Sequence, residues 1–176
     1  MAAAATMRRC VFSLGSNLGD RLAQLESACD YLADIFGGLR LSQVYETEPV
    51  GCPEGSPCYL NACVEVETGM PAEEILQLCL RIEAELGRTR SGEYGEARTC
   101  DIDLICCGSE TCQSATLTLP HPAPPPGART GICAAPAVRH RPAAHSAGAG
   151  PDRCPAACSP ASRTCRNTLP ALIFLP

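Results

Sequence analysis

The chain has 176 residues, 45% of them apolar, and a formal net charge of −5, with arginine supplying all 14 of its basic side chains. This length suits one domain with its own core, and no apolar run reaches the ~18 residues of a membrane-spanning helix, which excludes that class. Residues 1–122 hold eight arginines against 18 acidic residues, a net charge of −10, and therefore lack the basic face of a nucleic-acid-binding protein.

The first part of the chain predicts a strand, a helix and a second strand. Residues 10–14 form a short apolar run that ends in a Gly-Ser-Asn turn, which is typical of a strand. Residues 19–36 carry apolar side chains at helical spacing, and Gly37 and Gly38 should end that helix. The stripe consists of Leu22, Leu25, Cys29, Leu32 and Phe36. Residues 39–46 alternate along the chain, which predicts a strand.

The middle of the chain predicts two strands with a helix between them. Residues 47–57 hold three prolines and two glycines and are a loop, whereas residues 59–68 alternate strictly and are a strand. Residues 71–86 predict a helix, residues 88–98 a polar loop and residues 100–107 a further strand. The order βαββαβ indicates an α+β fold with helices packed on an antiparallel sheet, most often ferredoxin-like.

Asp101 and Asp103 are the sharpest local signal. Residues two apart on a strand lie about 6.6 Å apart on one face, so both carboxylates should project together. Such a pair repels unless a cation lies between its members, and Mg²⁺ shared with phosphate oxygens suits this spacing. The alternative interpretation is an exposed acidic pair at a sheet edge.

Three arginines precede this pair, Arg88, Arg90 and Arg98. A guanidinium matches a phosphate with two parallel hydrogen bonds and keeps its charge, so cations beside metal-binding carboxylates favour phosphoryl-type transfer. A solvated polar loop is the alternative for any one of them.

Other polar residues are weaker evidence for a functional site when each is taken alone. Tyr59 and Asn61 share a strand face and could bind a flat heterocycle or simply pack across strands. His121, in a Pro-rich turn, is by itself most often structural. The Gly-containing turn at residues 15–20 lacks the pattern of a phosphate-binding loop.

Cysteine is abundant, with 14 residues, but no Cys-x-x-Cys pair occurs. We interpret the cysteines as packed thiols and not as metal ligands or disulfides. The alanines and arginines at the start of the chain do not have the order of a secretory signal, so we expect a cytoplasmic protein.

Together these segments resemble the 6-hydroxymethyl-7,8-dihydropterin pyrophosphokinases of folate biosynthesis. The resemblance runs in order along the chain, at residues 13–20 (Ser-Leu-Gly-Ser-Asn-Leu-Gly-Asp), 45–51, 59–61, 81–83, 86–90, 98–104 and 117–121.

The resemblance implies transfer of diphosphate from ATP to the pterin, whose hydroxymethyl oxygen attacks the β-phosphorus as AMP leaves. It implies a monomer with ATP and the pterin alcohol as its partners and two Mg²⁺ ions held by Asp101 and Asp103. The residues implied to act on ATP are Glu83, Arg88, Arg90, Arg98, Leu104, Thr118 and His121. Those implied to hold the pterin are Thr47, Val50, Tyr59 and Asn61. Catalysis would fall to Arg88, Arg98, Asp101 and Asp103.

The chain departs from the family in two places. Tyr94 stands where many relatives have Trp, and Glu96 and Ala97 replace a more usual proline before Arg98. Residues 123–176 hold 10 prolines and 13 alanines without periodicity, which cannot fill a core. We therefore expect an extension at residues 1–9, an incomplete domain at residues 10–122 and a disordered or out-of-frame tail.

A shifted reading frame would explain the tail. Read one base away, its codons can encode Arg-Ala-Arg-Ala-Phe-Val-Leu-Arg-Pro-Leu-Cys-Asp-Ile-Ala-Pro, the segment that relatives have there, including a Phe that stacks on the pterin. We hypothesise a one-base frameshift just after Pro122, which an uninterrupted frame across codons 120–130 would disprove. Besides the enzyme, two classes stay open, a non-catalytic pterin- or nucleotide-binding relative and a Cys-rich metal-binding protein.

Overall fold

The computed structural model describes residues 6–89 and 96–122, and the backbone of residues 139–142 and 166–167. These parts hold two helices and nine strands. In chain order they are β1 (Arg8–Ser16), α1 (Arg21–Phe36), β2 (Gly38–Leu41), β3 (Tyr45–Thr47), β4 (Tyr59–Thr68), α2 (Ala72–Glu85), β5 (Asp101–Cys107), β6 (Cys112–Gln113), β7 (Thr118–Leu119), β8 (Arg139–Pro142) and β9 (Arg166–Asn167). Arg90 and Tyr94, and the tail apart from β8 and β9, lie outside the described residues.

The sheet is antiparallel and runs in the order β5-β1-β4-β2-β8, with β3 pairing both β4 and β9. β6 and β7 form a separate two-stranded sheet. The α+β class predicted from the sequence is confirmed, with α1 packed on β1, β2 and β4 and α2 packed on β5. β1 lies between β4 and the edge strand β5.

The predicted strand over residues 39–46 is divided into β2 and β3. Its register against β4 shifts by one residue between the pair Leu41 and Val64 and the pair Tyr45 and Asn61. At this break the Ser42 hydroxyl accepts the Cys63 N–H at 2.8 Å, a bond that a regular ladder would give to a backbone carbonyl. One extra residue is therefore accommodated as a bulge-like irregularity.

Both helices end where the sequence predicts. Asp20 caps α1 by accepting the Ala23 N–H at 3.1 Å, and Gly37 closes it in the left-handed conformation at φ 77°. α2 follows Pro71 and ends just before Gly87, whose φ is 81°. No helix in the described ranges is long and apolar enough to cross a membrane.

The core lies between the helices and one face of the sheet. The predicted apolar face of β4 is buried, as are Phe12 and Leu14 of β1 and Leu32 of α1. Many cysteines pack there as free thiols, and burial raises the pKa of Cys79 and Cys100 to about 12. Among the cysteines of residues 6–89 and 96–122, Cys63 differs because it is disulfide-bonded, so the packing interpretation is wrong for that residue.

Candidate active site

The two carboxylates of β5 lie on one face, as the alternation predicts. Ile102 and Leu104 are buried at 3% and 2% exposure on the other side of the strand, whereas Asp101 and Asp103 are only partly buried. Asp103 lies opposite Ser13 of β1 in the strand register, and Asp101 lies opposite Gly15. The carboxylates therefore share the sheet face that does not carry the buried core side chains of β1.

Two of the three predicted arginines gather at Asp101. Arg98 donates from Nη1 to Asp101 Oδ2 at 2.9 Å, and Arg88 donates to Asp101 Oδ1. The Arg98 side chain is 25% exposed and that of Arg88 12%. The third, Arg90, lies outside the described residues.

Glu83 connects α2 to β5, the strand that carries Asp101 and Asp103. It is 3% exposed, its Oε1 accepts the Ile102 N–H at 2.8 Å, and it forms an ion pair with Arg88. Because Ile102 separates Asp101 from Asp103, this bond fixes the backbone between the two acids. Arg88 is thus shared by two carboxylates, whereas the described ion pair of Arg98 is with Asp101 alone.

The ionised form of Asp103 is unfavourable unless a cation lies nearby. Its pKa is raised to about 6, first by burial and then by the negative charge of Asp101, while His121 and Arg88 act in the opposite direction. Within residues 6–89 and 96–122, no three His, Cys, Asp or Glu side chains cluster so that they alone could hold a metal. The pair fits a hard cation that takes its other ligands from phosphate and water, as Mg²⁺ does.

A pocket of about 260 Å³ beside β5 brings together three residues predicted for ATP, namely Leu104, Thr118 and His121, with the predicted metal ligand Asp103. The backbone N–H of His121 donates to the Ile105 carbonyl at 2.8 Å, which holds the Pro-rich turn against the strand. Glu83, Arg88 and Arg98 lie outside this pocket lining and surround Asp101 instead.

Three of the four residues predicted for the pterin are adjacent across β3 and β4. Asn61 donates from Nδ2 to Thr47 Oγ1 at 2.7 Å, and Tyr59 lies opposite Thr47 in the register. Burial raises the pKa of Tyr59, whereas the positive charge of nearby Arg98 acts to lower it. The fourth, Val50, is 61% exposed on the loop between these strands.

The model of the family 7,8-dihydro-6-hydroxymethylpterin-pyrophosphokinase (HPPK) matches residues 11–125 of the chain. The chain belongs to the HPPK family.

Among its relatives are proteins described as 2-amino-4-hydroxy-6-hydroxymethyldihydropteridine pyrophosphokinase. The protein of Bacillus subtilis is 39% identical over 112 residues, which are 62% of this chain and 66% of that protein. That of Haemophilus influenzae is 36% identical over 62% of this chain and 68% of its own length, and that of Porphyromonas gingivalis is 42% identical over 62% and 77%. The chain thus spans just under two thirds of the Bacillus subtilis relative.

Gly15, which the sequence does not mark as a site residue, lies between the residues predicted for the pterin and the carboxylates of β5. It lies opposite Asn61 on β4 and opposite Asp101 on β5. A Cβ atom at Gly15 would lie 3.1 Å from Asn61 Oδ1, 3.7 Å from Tyr59 Cδ1 and 3.9 Å from Asp101 Cβ. Because Gly15 has no side chain, Tyr59 and Asn61 of β4 can approach Asp101 of β5 across β1. Within the sequence its signals are a glycine near the end of a strand and its place in the segment 13–20 that resembles the family.

We expect Gly15→Val to weaken pterin binding roughly 10- to 100-fold, since overpacking of a filled site costs about 1–3 kcal/mol. Pterin fluorescence titration measures this directly. Arg9→Val is the matched control, because Arg9 points to the same face of β1 near its other end and its side chain is 67% exposed. Equal pterin affinity in Gly15→Val and wild type would show that no ligand lies over Gly15.

Proposed function

We propose that the chain transfers diphosphate from ATP to 6-hydroxymethyl-7,8-dihydropterin, giving AMP and the pterin diphosphate, a step of folate biosynthesis. The observation that carries this proposal is the meeting of two groups at Gly15. Tyr59 and Asn61 approach it from β4, and Asp101 approaches it from β5. A pterin alcohol bound at Tyr59 and Asn61 would therefore lie beside phosphates that are held near Asp101.

The arginines supply positive charge for the triphosphate. Arg88 and Arg98 both donate to Asp101, so their guanidinium groups lie next to the carboxylates and phosphate oxygens could take up their remaining donors. In our proposal Arg90 assists them, Glu83, Leu104, Thr118 and His121 line the ATP side, and the pocket beside β5 receives the nucleoside part.

Asp101 and Asp103 would hold two Mg²⁺ ions, whose positive charge would neutralise the phosphates and make the phosphorus a better acceptor. Arg98 keeps one carboxylate oriented, and Glu83 holds the backbone between the two acids. A bond forms between the hydroxymethyl oxygen and the β-phosphorus as the bond from that phosphorus to the oxygen bridging to the α-phosphorus breaks, so that AMP leaves with the bridging oxygen and the hydroxyl proton passes to water.

The pterin would stack on Tyr59 and present its hydrogen-bonding edge to Asn61. The amide offers a donor and an acceptor, and its Nδ2 is already oriented by Thr47 Oγ1 at 2.7 Å. Val50 is exposed at the loop, where it can cover the ring from the solvent side.

We also propose that the sheet and helices have the ferredoxin-like arrangement. If β2 and β3 are counted as one strand, the sheet order β5-β1-β4-β2 with antiparallel neighbours supports the ferredoxin-like arrangement. Four further expectations stay predictions. They are the domain boundary at residue 122, the frameshift beyond it, the monomeric state and the cytoplasmic location.

We expect AMP to form from ATP only when the pterin alcohol is present, and chromatographic measurement of AMP with and without the pterin tests this. Pterin-independent release of ADP or AMP would indicate a different ATP-using reaction. Binding of the pterin and ATP without AMP formation would instead support the non-catalytic alternative.

A further inference from the structure

The turn between β1 and α1 holds a buried amide with partners in two separate loops. Asn17 is 2% exposed. Its Oδ1 accepts the Arg98 N–H at 2.7 Å, and its own N–H donates to the Arg98 carbonyl at 3.1 Å. Its Nδ2 donates to the Pro57 carbonyl at 3.4 Å. The partners are therefore backbone atoms on both sides of the candidate site.

On the side of β5, Asn17 holds the main chain of an arginine that contacts the carboxylates. Two hydrogen bonds fix both polar backbone groups of Arg98, and its side chain then reaches Asp101 at 2.9 Å. A residue tied in this way cannot shift along the chain without breaking both bonds. The position of the Arg98 guanidinium therefore depends on Asn17.

On the side of β4, Asn17 holds the end of the loop that leads to Tyr59. Pro57 lies two residues before Tyr59, and the next carbonyl, that of Cys58, accepts from Arg21 Nη1 at 2.7 Å. Arg21 also pairs with Glu46 of β3 at 2.9 Å. Polar groups from the start of α1 thus anchor the loop just before the aromatic ring.

We propose that Asn17 is a positioning residue that sets the pterin loop and Arg98 in a fixed relation to each other. This inference rests on the proposed function. The amide is required because it accepts from the Arg98 N–H and donates to the Pro57 carbonyl at once, which a carboxylate cannot do. A Ser side chain is too short to span both partners.

The test uses Asn17→Asp, which keeps the shape and the acceptor for Arg98 but loses the donor for Pro57. Its ionised form would turn a second oxygen toward the Pro57 carbonyl and repel it, and measurement at about pH 8 favours this form against the upward effect of burial on its pKa. We expect KM for the pterin to rise roughly 10-fold, as for one lost buried hydrogen bond, with kcat and KM for ATP little changed. Asn17→Ala removes the contacts of the side chain to both loops and should lower kcat as well.

Hydrogen exchange gives a readout that does not need turnover. In Asn17→Asp, backbone exchange should increase at residues 48–58 but not at residues 96–100, whereas Asn17→Ala should increase it at both. Gln77→Glu is the control for an amide-to-carboxylate change, because Gln77 is exposed on α2. If Asn17→Asp lowers thermal stability but alters pterin and ATP affinity equally, or alters neither loop, Asn17 only stabilises the turn and the inference fails. If wild type forms no AMP, the proposed function fails, while the exchange pattern and pterin titrations with a non-hydrolysable ATP analogue still decide the role of Asn17.

Discussion

Conversion of both Asp101 and Asp103 to asparagine is expected to remove magnesium-dependent ATP binding and slow AMP formation by about 10³-fold. The estimate follows because a Lewis-acid metal contributes several kcal/mol to the transition state, and about 1.4 kcal/mol is a factor of ten. Asparagine keeps one oxygen for the Arg98 guanidinium, which lies 2.9 Å from Asp101, although its amide nitrogen can no longer accept from Arg88. Titration with Mg²⁺ and ATP, monitored by calorimetry, measures the loss.

The double variant should stay folded, because it relieves a repulsion, opens no cavity and leaves Arg88 its ion pair with buried Glu83. The pKa of Asp103 is raised to about 6 chiefly by burial and by the neighbouring Asp101, so the charged pair is unfavourable without a cation. Glu67→Gln is the matched control, since Glu67 is exposed near the other end of the sheet, opposite Arg9. Undiminished binding of magnesium-ATP by the double variant would refute the assignment of this metal site.

Features that depend on local spacing could be predicted from the sequence. Strict alternation gave the bounds of β4 at Tyr59–Thr68, and the glycine after Phe36 gave the end of α1. The shared face of Asp101 and Asp103 followed from the two-residue period of a strand. Each of these is decided within a few neighbouring residues.

Features that depend on what lies across the sheet could not be predicted in this way. The break between β2 and β3 arises because the Ser42 hydroxyl takes a hydrogen bond from β4, which no pattern within residues 39–46 reveals. The importance of Gly15 comes from Asn61 and Asp101, residues 46 and 86 positions further along. Likewise, the sequence indicated that Glu83 belongs to the site only through family resemblance, whereas its contact with the Ile102 N–H is tertiary.

The two described arginines differ in their partners, and this difference predicts different roles. Arg88 is shared between buried Glu83 and Asp101 and is 12% exposed, so its charge is needed to hold the site together. Breaking such a buried pair costs about 3–5 kcal/mol, so Arg88 variants should lose stability together with activity. Arg98 is more exposed and its described ion pair is with Asp101 alone, which leaves its guanidinium better able to turn to a phosphate.

Arg98→Ala is therefore expected to lower kcat about 10³-fold, the range found when an arginine that stabilises a transferring phosphoryl group is removed. Folding should be little affected, because Asn17 binds only the backbone of Arg98, which alanine retains. Arg98→Lys should recover only part of the rate, since lysine keeps the charge but loses the planar fork. Arg40→Lys is the control, because Arg40 pairs with Glu65 on the same sheet and its side chain is 47% exposed. If kcat is unchanged in Arg98→Ala and only KM for ATP rises, Arg98 binds the ground state of ATP and does not act on the transferring phosphate.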